Sequence, residues 1–254
     1  MIPVVISDIH SRSTKLHLAL HNAGVLDMHG VRNPGYQLIQ LGDAVSAGYG
    51  MKEAQFYREW TALLEPQDVE LVGNHEMPIL SKNPYIVFYG FNKGDMGTDG
   101  CDPELIPLVL ERQAQYKAAH VVNDWLITHA GVSKRYQRDT AQKTADYLNS
   151  TFEGYHQFKC PCCICDPANG PLWVRDLEKT AKDPTQIKQM FGHTPDGPTL
   201  SKGGTMWNID TPRIKPLDYE DGVNVNRGVT EDWGGVCVMR WDDATSNWEQ
   251  FYVA

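Results

Sequence analysis

Three stretches of the chain share one polarity pattern. "IPVVISDIH" (2–10), "YQLIQLGDAV" (36–45) and "VELVGNHEM" (69–77) each run from apolar, β-branched residues into Asp, Asn or His. Short apolar runs bounded in this way read as core strands. A helical period follows the first two: Leu16, Leu20 and Ala23 share a face within Thr14–Ala23, and Phe56, Trp60, Leu63 and Leu64 do so within Lys52–Leu64. Strand and helix therefore alternate. A further helical pattern covers about residues 103–118, and "AHVVNDWLITHAGV" reads as a hairpin that turns at Asn123 and Asp124 and ends its second strand on His129. Helix is predicted over Ser133–Leu148, followed by a strand in "QIKQMFGHTP" that runs into His193. The tail, "GTMWNID" and "GGVCVMRW" to "WEQFYV", reads as antiparallel strands around a turn at "DDATSN". The pattern predicts an α/β fold with mixed sheets and outer helices, in one domain spanning 1–254.

Composition narrows the class. With 254 residues, 41% hydrophobic and 22% charged, and no repeat at a fixed period, the chain can bury a substantial core and is not disordered. A net charge of -9 argues against broad nucleic-acid binding, so no stable nucleic-acid partner is expected. "MIPVVISD" enters a strand without a basic leader or a long apolar run, which predicts a cytoplasmic protein with no membrane partner. The "NST" sequon at Asn149 has no meaning in that compartment.

The polar groups at the strand ends form a constellation: Asp8, His10, Asp43, Asn74, His75, His129 and His193. Open α/β sheets place their ligands beyond the carboxyl ends of strands. Each residue alone has a plain structural reading, as a helix cap, a turn residue or a packed histidine. Their recurrence at nearly every predicted core strand is what points to a site. Imidazoles, carboxylates and an amide suit first-row divalent ions, and there are ligands enough for two. A shared carboxylate would hold such a pair about 3.5–4 Å apart.

These residues, in order, resemble the calcineurin-like metallophosphoesterases, and within them the branch of phosphoprotein phosphatases and symmetrical diadenosine tetraphosphatases. The resemblance rests on Asp-x-His in "SDIH", Gly-Asp in "LGDAV", "GNHE", the histidine of "THAG", the arginine of "PLWVR" and "FGHT". It implies a four-layer sandwich of two mixed β-sheets flanked by helices. It also implies two divalent metal ions, manganese first, with iron, zinc, nickel or cobalt as alternatives. By position, Asp8, His10 and Asp43 would hold one ion, with Asp43 bridging, and Asn74, His129 and His193 would complete the second. A metal-bridging hydroxide would be the nucleophile, His75 the general acid and Arg175 the phosphate-holding cation. Glu76 is expected to support the site rather than to ligate.

One departure stands out. The family's second motif usually continues Gly-Asp-x-Val-Asp-Arg-Gly, and here it reads "GDAVSAG". Ser46 replaces the carboxylate that would orient the general acid, and Ala47 replaces a second phosphate-gripping arginine. Arg12 or Lys52 would be candidate replacement cations, and Asp95 or Asp99 candidate carboxylates. A second oddity is "KCPCCICDP", an insert near 153–168 with Cys160, Cys162, Cys163 and Cys165. In a cytoplasmic chain these are either a zinc site or reduced thiols, since the spacing lacks separated Cys-x-x-Cys pairs. Cys237 fits a core strand, and His17 and His21, at i and i+4, are either a chelating pair or a solvated face. The functional reading is a dinuclear hydrolase of phosphate esters or anhydrides, acting on a phosphorylated small molecule, a nucleotide or a phosphoprotein. The alternatives are a phosphodiesterase acting on nucleotides and a non-catalytic binder of phosphorylated ligands.

Overall fold

In the computed structural model of the chain, the residues described are 1–45, 53–80, 104–157, 170–172, 174, 187–194, 198–200, 204–210 and 235–254. In chain order they form β1 (Ile2–Ile6), α1 (Ser13–Asn22), β2 (Tyr36–Gln40), α2 (Glu53–Ala62), β3 (Val69–Glu70), α3 (Met77–Leu80) and α4 (Leu105–Glu111). Next come β4 (Ala119–Val122), β5 (Trp125–Thr128), α5 (Ala141–Gln157), β6 (Lys188–Phe191), β7 (Thr199–Leu200), β8 (Met206–Asn208), β9 (Val236–Asp242) and β10 (Asn247–Val253). Two five-stranded sheets result, ordered β10-β9-β1-β2-β3 and β4-β5-β6-β8-β7. Both are mixed. In the first, β1, β2 and β3 run parallel, β9 is antiparallel to β1, and β10 is antiparallel to β9. In the second, β5, β6 and β8 run parallel, with β4 and β7 antiparallel at the edges.

The strand period of two builds the layers. Along β1, Val4 and Ile6 join a cluster with Leu16 and Leu20 of α1, while Val5 faces the other way. There Val5 meets Ile39 and Leu41 from its own sheet, Ile127 and Met190 from the second, and Cys237 and Met239 of β9. On β5, Leu126 lies in the outer cluster with Leu148 of α5, and Trp125 and Ile127 lie in the inner one. Helix, sheet, sheet and helix thus stack as the four expected layers, with an apolar seam between the sheets. No helix among the described residues is long and apolar enough to cross a membrane.

Three elements differ from their sequence pattern. Helix α4 stops at Glu111 instead of reaching residue 118, because Lys117 is drawn into bridge pairing: its N–H donates to Glu70 O (3.0 Å) and its carbonyl accepts from Val72 N (2.9 Å). Helix α5 starts at Ala141, not Ser133, where the Thr140 hydroxyl caps the Lys143 N–H at 3.1 Å, and it continues to Gln157. Strand β8 belongs to the second sheet, parallel to β6, and does not join the antiparallel β9–β10 pair. The hairpin turn fell where expected, with Asn123 in the left-handed region at φ 54°.

Candidate metal centre

The carboxyl ends of the parallel strands from both sheets meet at one place. The loop after β1 is zipped to the loop after β2: Ile9 N and His10 N both donate to Asp43 O (3.1 and 2.9 Å), and Ser11 N donates to Ala44 O (2.9 Å). The loop after β3 packs on the same segment, backbone to backbone. A Cβ on Gly42 would lie 2.5 Å from Gly73 N, and one on Gly73 would run into Asp43. Glycine at both positions is what allows that approach. Glu76, fully buried, locks the two loops by accepting from Asp43 N (2.9 Å), Ala44 N (2.8 Å) and Gly73 N (2.9 Å). Its carboxylate is thus spent on backbone amides, which matches the supporting role expected of it.

His10, Asp43 and His193 sit at φ 47°, 55° and 68°. Non-glycine residues rarely adopt this region, and such strain concentrates at functional sites. The result is a convergence on Asp43. Its Oδ2 lies 3.8, 3.7 and 3.6 Å from Nε2 of His10, His75 and His129, while its Oδ1 accepts from His75 N at 2.9 Å. Ligand atoms of His10, Asp43 and His75 lie within 4.8 Å of one another, and so do those of Asp43, His129 and His193. Asp43 belongs to both groups.

The donor set fits a cation. Leu41 O can only accept, so its 3.0 Å contact assigns a proton to Nδ1 of His129. In the neutral form of the ring Nε2 is then an acceptor, and it faces Asn74 Oδ1 at 2.9 Å. Two acceptors pointed at each other in a buried site suit a metal ion between them. Asp8, 1% exposed, is placed differently: Oδ2 accepts from His193 N at 3.0 Å, and Oδ1 has no hydrogen-bond partner among the described residues. Burial pushes its carboxyl well above the usual range, with Asp210 and then Asp43 adding to the rise. A bare, buried oxygen beside other carboxylates likewise suits a cation.

All seven strand-end residues are therefore brought together, although Asp8 stands outside the two tight groups and His75 stands inside one. Several expectations lie outside the described residues: Arg175, Ser46, Ala47, Lys52, Asp95, Asp99 and the cluster Cys160, Cys162, Cys163 and Cys165. Arg12 is buried and donates to Gly235 O at 3.1 Å, so it braces the loop after β1 against the start of β9. His17 and His21 turn to opposite ends of α1, their Nδ1 atoms 2.9 Å from Ser13 O and 3.2 Å from Leu26 O, which does not favour a chelate. Cys237 is core, its thiol pushed up to about 12 by burial.

The sequence pattern missed the supports. Gln189 of β6 accepts from Val132 N (2.8 Å) just past His129, and Asn208 of β8 donates to Thr194 O (2.9 Å) just past His193. Asp210, 5% exposed, follows β8 and was also missed. Its signal was present, because "MWNID" repeats the run from strand into Asp.

Among curated proteins, none matches this chain in sequence. Solved structures do match its fold. One is a cold-active protein tyrosine phosphatase with a TM-score of 0.61 and 16% identity over 98% of this chain and 78% of that one. A second, the cold-active protein-tyrosine phosphatase of a psychrophilic Shewanella, gives a TM-score of 0.59 and 16% identity over 98% and 80%. A protein serine/threonine phosphatase from Saccharomyces cerevisiae gives 0.52 and 13% over 100% and 80%. The family model for calcineurin-like phosphoesterases matches residues 3–233, nearly the whole chain, and with it the motifs that build this centre; the chain belongs to that metal-dependent hydrolase family.

Proposed function

We propose that the chain holds two divalent ions, manganese first, and hydrolyses phosphate monoesters and anhydrides. Asp8, His10 and Asp43 would hold one ion, and Asp43, Asn74, His129 and His193 the other. The observation that carries this reading is Asp43: its Oδ2 is nearly equidistant from three imidazoles, and it is shared by both ligand groups. When bound, such ions supply Lewis-acid charge at phosphorus and a water that ionises near neutral pH. The chain's own residues do the rest. His75, its backbone fixed on Asp43, keeps a proton for the departing oxygen, and Arg175 grips phosphoryl oxygens. The pairing of β9, near the carboxyl terminus, with β1 supports one hydrolase domain over 1–254.

Ser46 and Ala47 shape the substrate class. Without an orienting carboxylate the protonated form of His75 is less favoured, so fewer competent acids stand ready at neutral pH, and without a second arginine the demand for a phosphate dianion relaxes. Aryl phosphates and nucleotide anhydrides, which leave with little help, are favoured over phosphoserine. Tyrosine phosphatases among the similar folds act on esters of that kind. The same loss of arginine favours a second reading, a nucleotide diesterase. The test is a manganese-loaded screen of the purified chain against aryl phosphate, phosphotyrosine and phosphoserine peptides, dinucleoside polyphosphate and cyclic nucleotide, with Asp43→Asn as control. Aryl phosphate or anhydride should turn over fastest, and Asp43→Asn should lose both metal and activity. Fewer than two ions per chain by elemental analysis would remove the dinuclear mechanism, and metal without turnover would leave a phospho-ligand binding protein.

A further inference from the structure

Asp210 is buried and fixed through its backbone, yet it matches none of the motifs. Its N–H donates to Asn208 Oδ1 at 3.1 Å, and the amide of the same Asn208 donates to Thr194 O at 2.9 Å. The preceding Ile209 N donates to Phe191 O at 2.8 Å. The end of β8 is thereby fastened to the end of β6, which carries His193, whose N–H in turn holds Asp8 Oδ2. The chain has placed another buried carboxylate on the Asp8 side of the centre. Like charges in a low-dielectric site repel, so the arrangement favours positive charge, of which buried Arg12 supplies part.

Resting on the metal-centre reading above, we infer that Asp210 is a positioning residue: its fixed negative charge strengthens cation binding beside Asp8, and it is not itself a ligand. Two divalent ions bring four positive charges, of which Asp8 and Asp43 balance two. A third carboxylate held nearby offsets more of the remainder without occupying a coordination position. Asp8 Oδ1, buried and without a hydrogen-bond partner among the described residues, is the atom that gains most from a cation there. Burial first, then Asp210 ahead of Asp43, raises the carboxyl of Asp8, which agrees with Asp210 being an electrostatic neighbour.

The experiment compares the full chain, stripped of metal, as wild type, Asp210→Asn and Asp210→Glu. Manganese alone is titrated and followed by the electron paramagnetic resonance of the free ion, and apo thermal unfolding is recorded for each. Asparagine keeps the shape and the backbone bond to Asn208 but removes the charge. We expect Asp210→Asn to weaken binding of at least one ion by about 10- to 100-fold, the usual cost of losing a supporting group. Its apo melting temperature should be no lower than wild type, because a repulsion has been relieved. Asp210→Glu should bind more tightly than Asp210→Asn. Equal affinity in wild type and Asp210→Asn overturns the inference. So does an apo Asp210→Asn that is less stable or fails to fold, since the charge would then stabilise the fold itself. Glutamate no better than asparagine does the same. A wild type that binds no manganese overturns the metal-centre reading, and this inference with it.

Discussion

At the scale of single residues, the adjacent Asn74 and His75 are placed differently. Asn74 Oδ1 faces Nε2 of His129 at 2.9 Å, whereas His75 is fixed through its backbone to Asp43 and turns its ring edge-on to His10. His75→Ala should therefore retain its metals and lose about 10²- to 10⁴-fold in kcat on an alkyl phosphate, with a smaller loss on an aryl phosphate. Metal loss in that variant would make His75 a ligand, as its place in one tight group permits. The pair Ser46 and Ala47 gives a second prediction, argued from sequence because both lie outside the described residues. Ser46→Asp with Ala47→Arg should raise kcat/KM on a phosphoserine peptide by a larger factor than on an aryl phosphate; no gain on the peptide would mean that other groups already fill both roles. The candidate ligands were legible because each ends an apolar run in a residue type that metals select. Asp210 ends such a run too, but a lone carboxylate in a tail strand has no partner within reach of a sequence pattern. Gln189 and Asn208 were invisible for a related reason, since their value depends on which loop lies one strand away.

At the scale of elements, period alone found α1, α2, the β4–β5 hairpin and the β9–β10 pair, whose patterns are local. It overran α4 and misplaced α5 because their ends are set by Lys117 pairing with β3 and by the Thr140 cap, not by the apolar face. Strand β8 was assigned to the wrong neighbour because its parallel pairing with β6 is non-local. The α4 end carries a further consequence. Arg112 caps the helix and donates from Nε to buried Glu70 Oε2 at 2.8 Å, and Glu70 leads directly into the Asn74 loop. Arg112→Ala should cost about 3–5 kcal/mol in chemical denaturation by stranding that carboxylate, whereas a neutral effect would show that Glu70 takes a proton instead. On β4, burial first and Lys117 second lower His120 from 6.5 to about 4. Between these values the unfolded chain binds a proton that the folded chain refuses, so this contribution to stability is lost as pH falls from 6.5 towards 4. His120→Gln should flatten that part of the stability curve relative to wild type.

At the scale of the molecule, the centre lies where two sheets meet. The first sheet brings Asp8, His10, Asp43, Asn74 and His75 from the ends of β1, β2 and β3, and the second brings His129, His193 and Asp210 from the ends of β5, β6 and β8. The apolar seam holds the sheets face to face through Val5, Ile39, Ile127 and Met190. At the carboxyl ends, by contrast, the packing gives way to carboxylates and lone pairs that repel without a cation. Ion binding should therefore act between the sheets as well as within a loop. Local opening near such a site is governed by local stability, and a ligand that binds only the closed form raises that stability by about 2.7 kcal/mol at one hundred times its dissociation constant. Hydrogen exchange with and without manganese can read this along the whole chain. Amides in 41–45 and 71–77 of the first sheet's loops and in 129–132 and 192–194 of the second's should gain protection together, while β10 at the far edge should change little. In His129→Ala the gain should shrink in both sets, because an ion held from one sheet alone no longer ties that sheet to the other. Protection confined to the first sheet in the wild type would mean that His129 and His193 are packed histidines, and that the ions do not bridge the sheets.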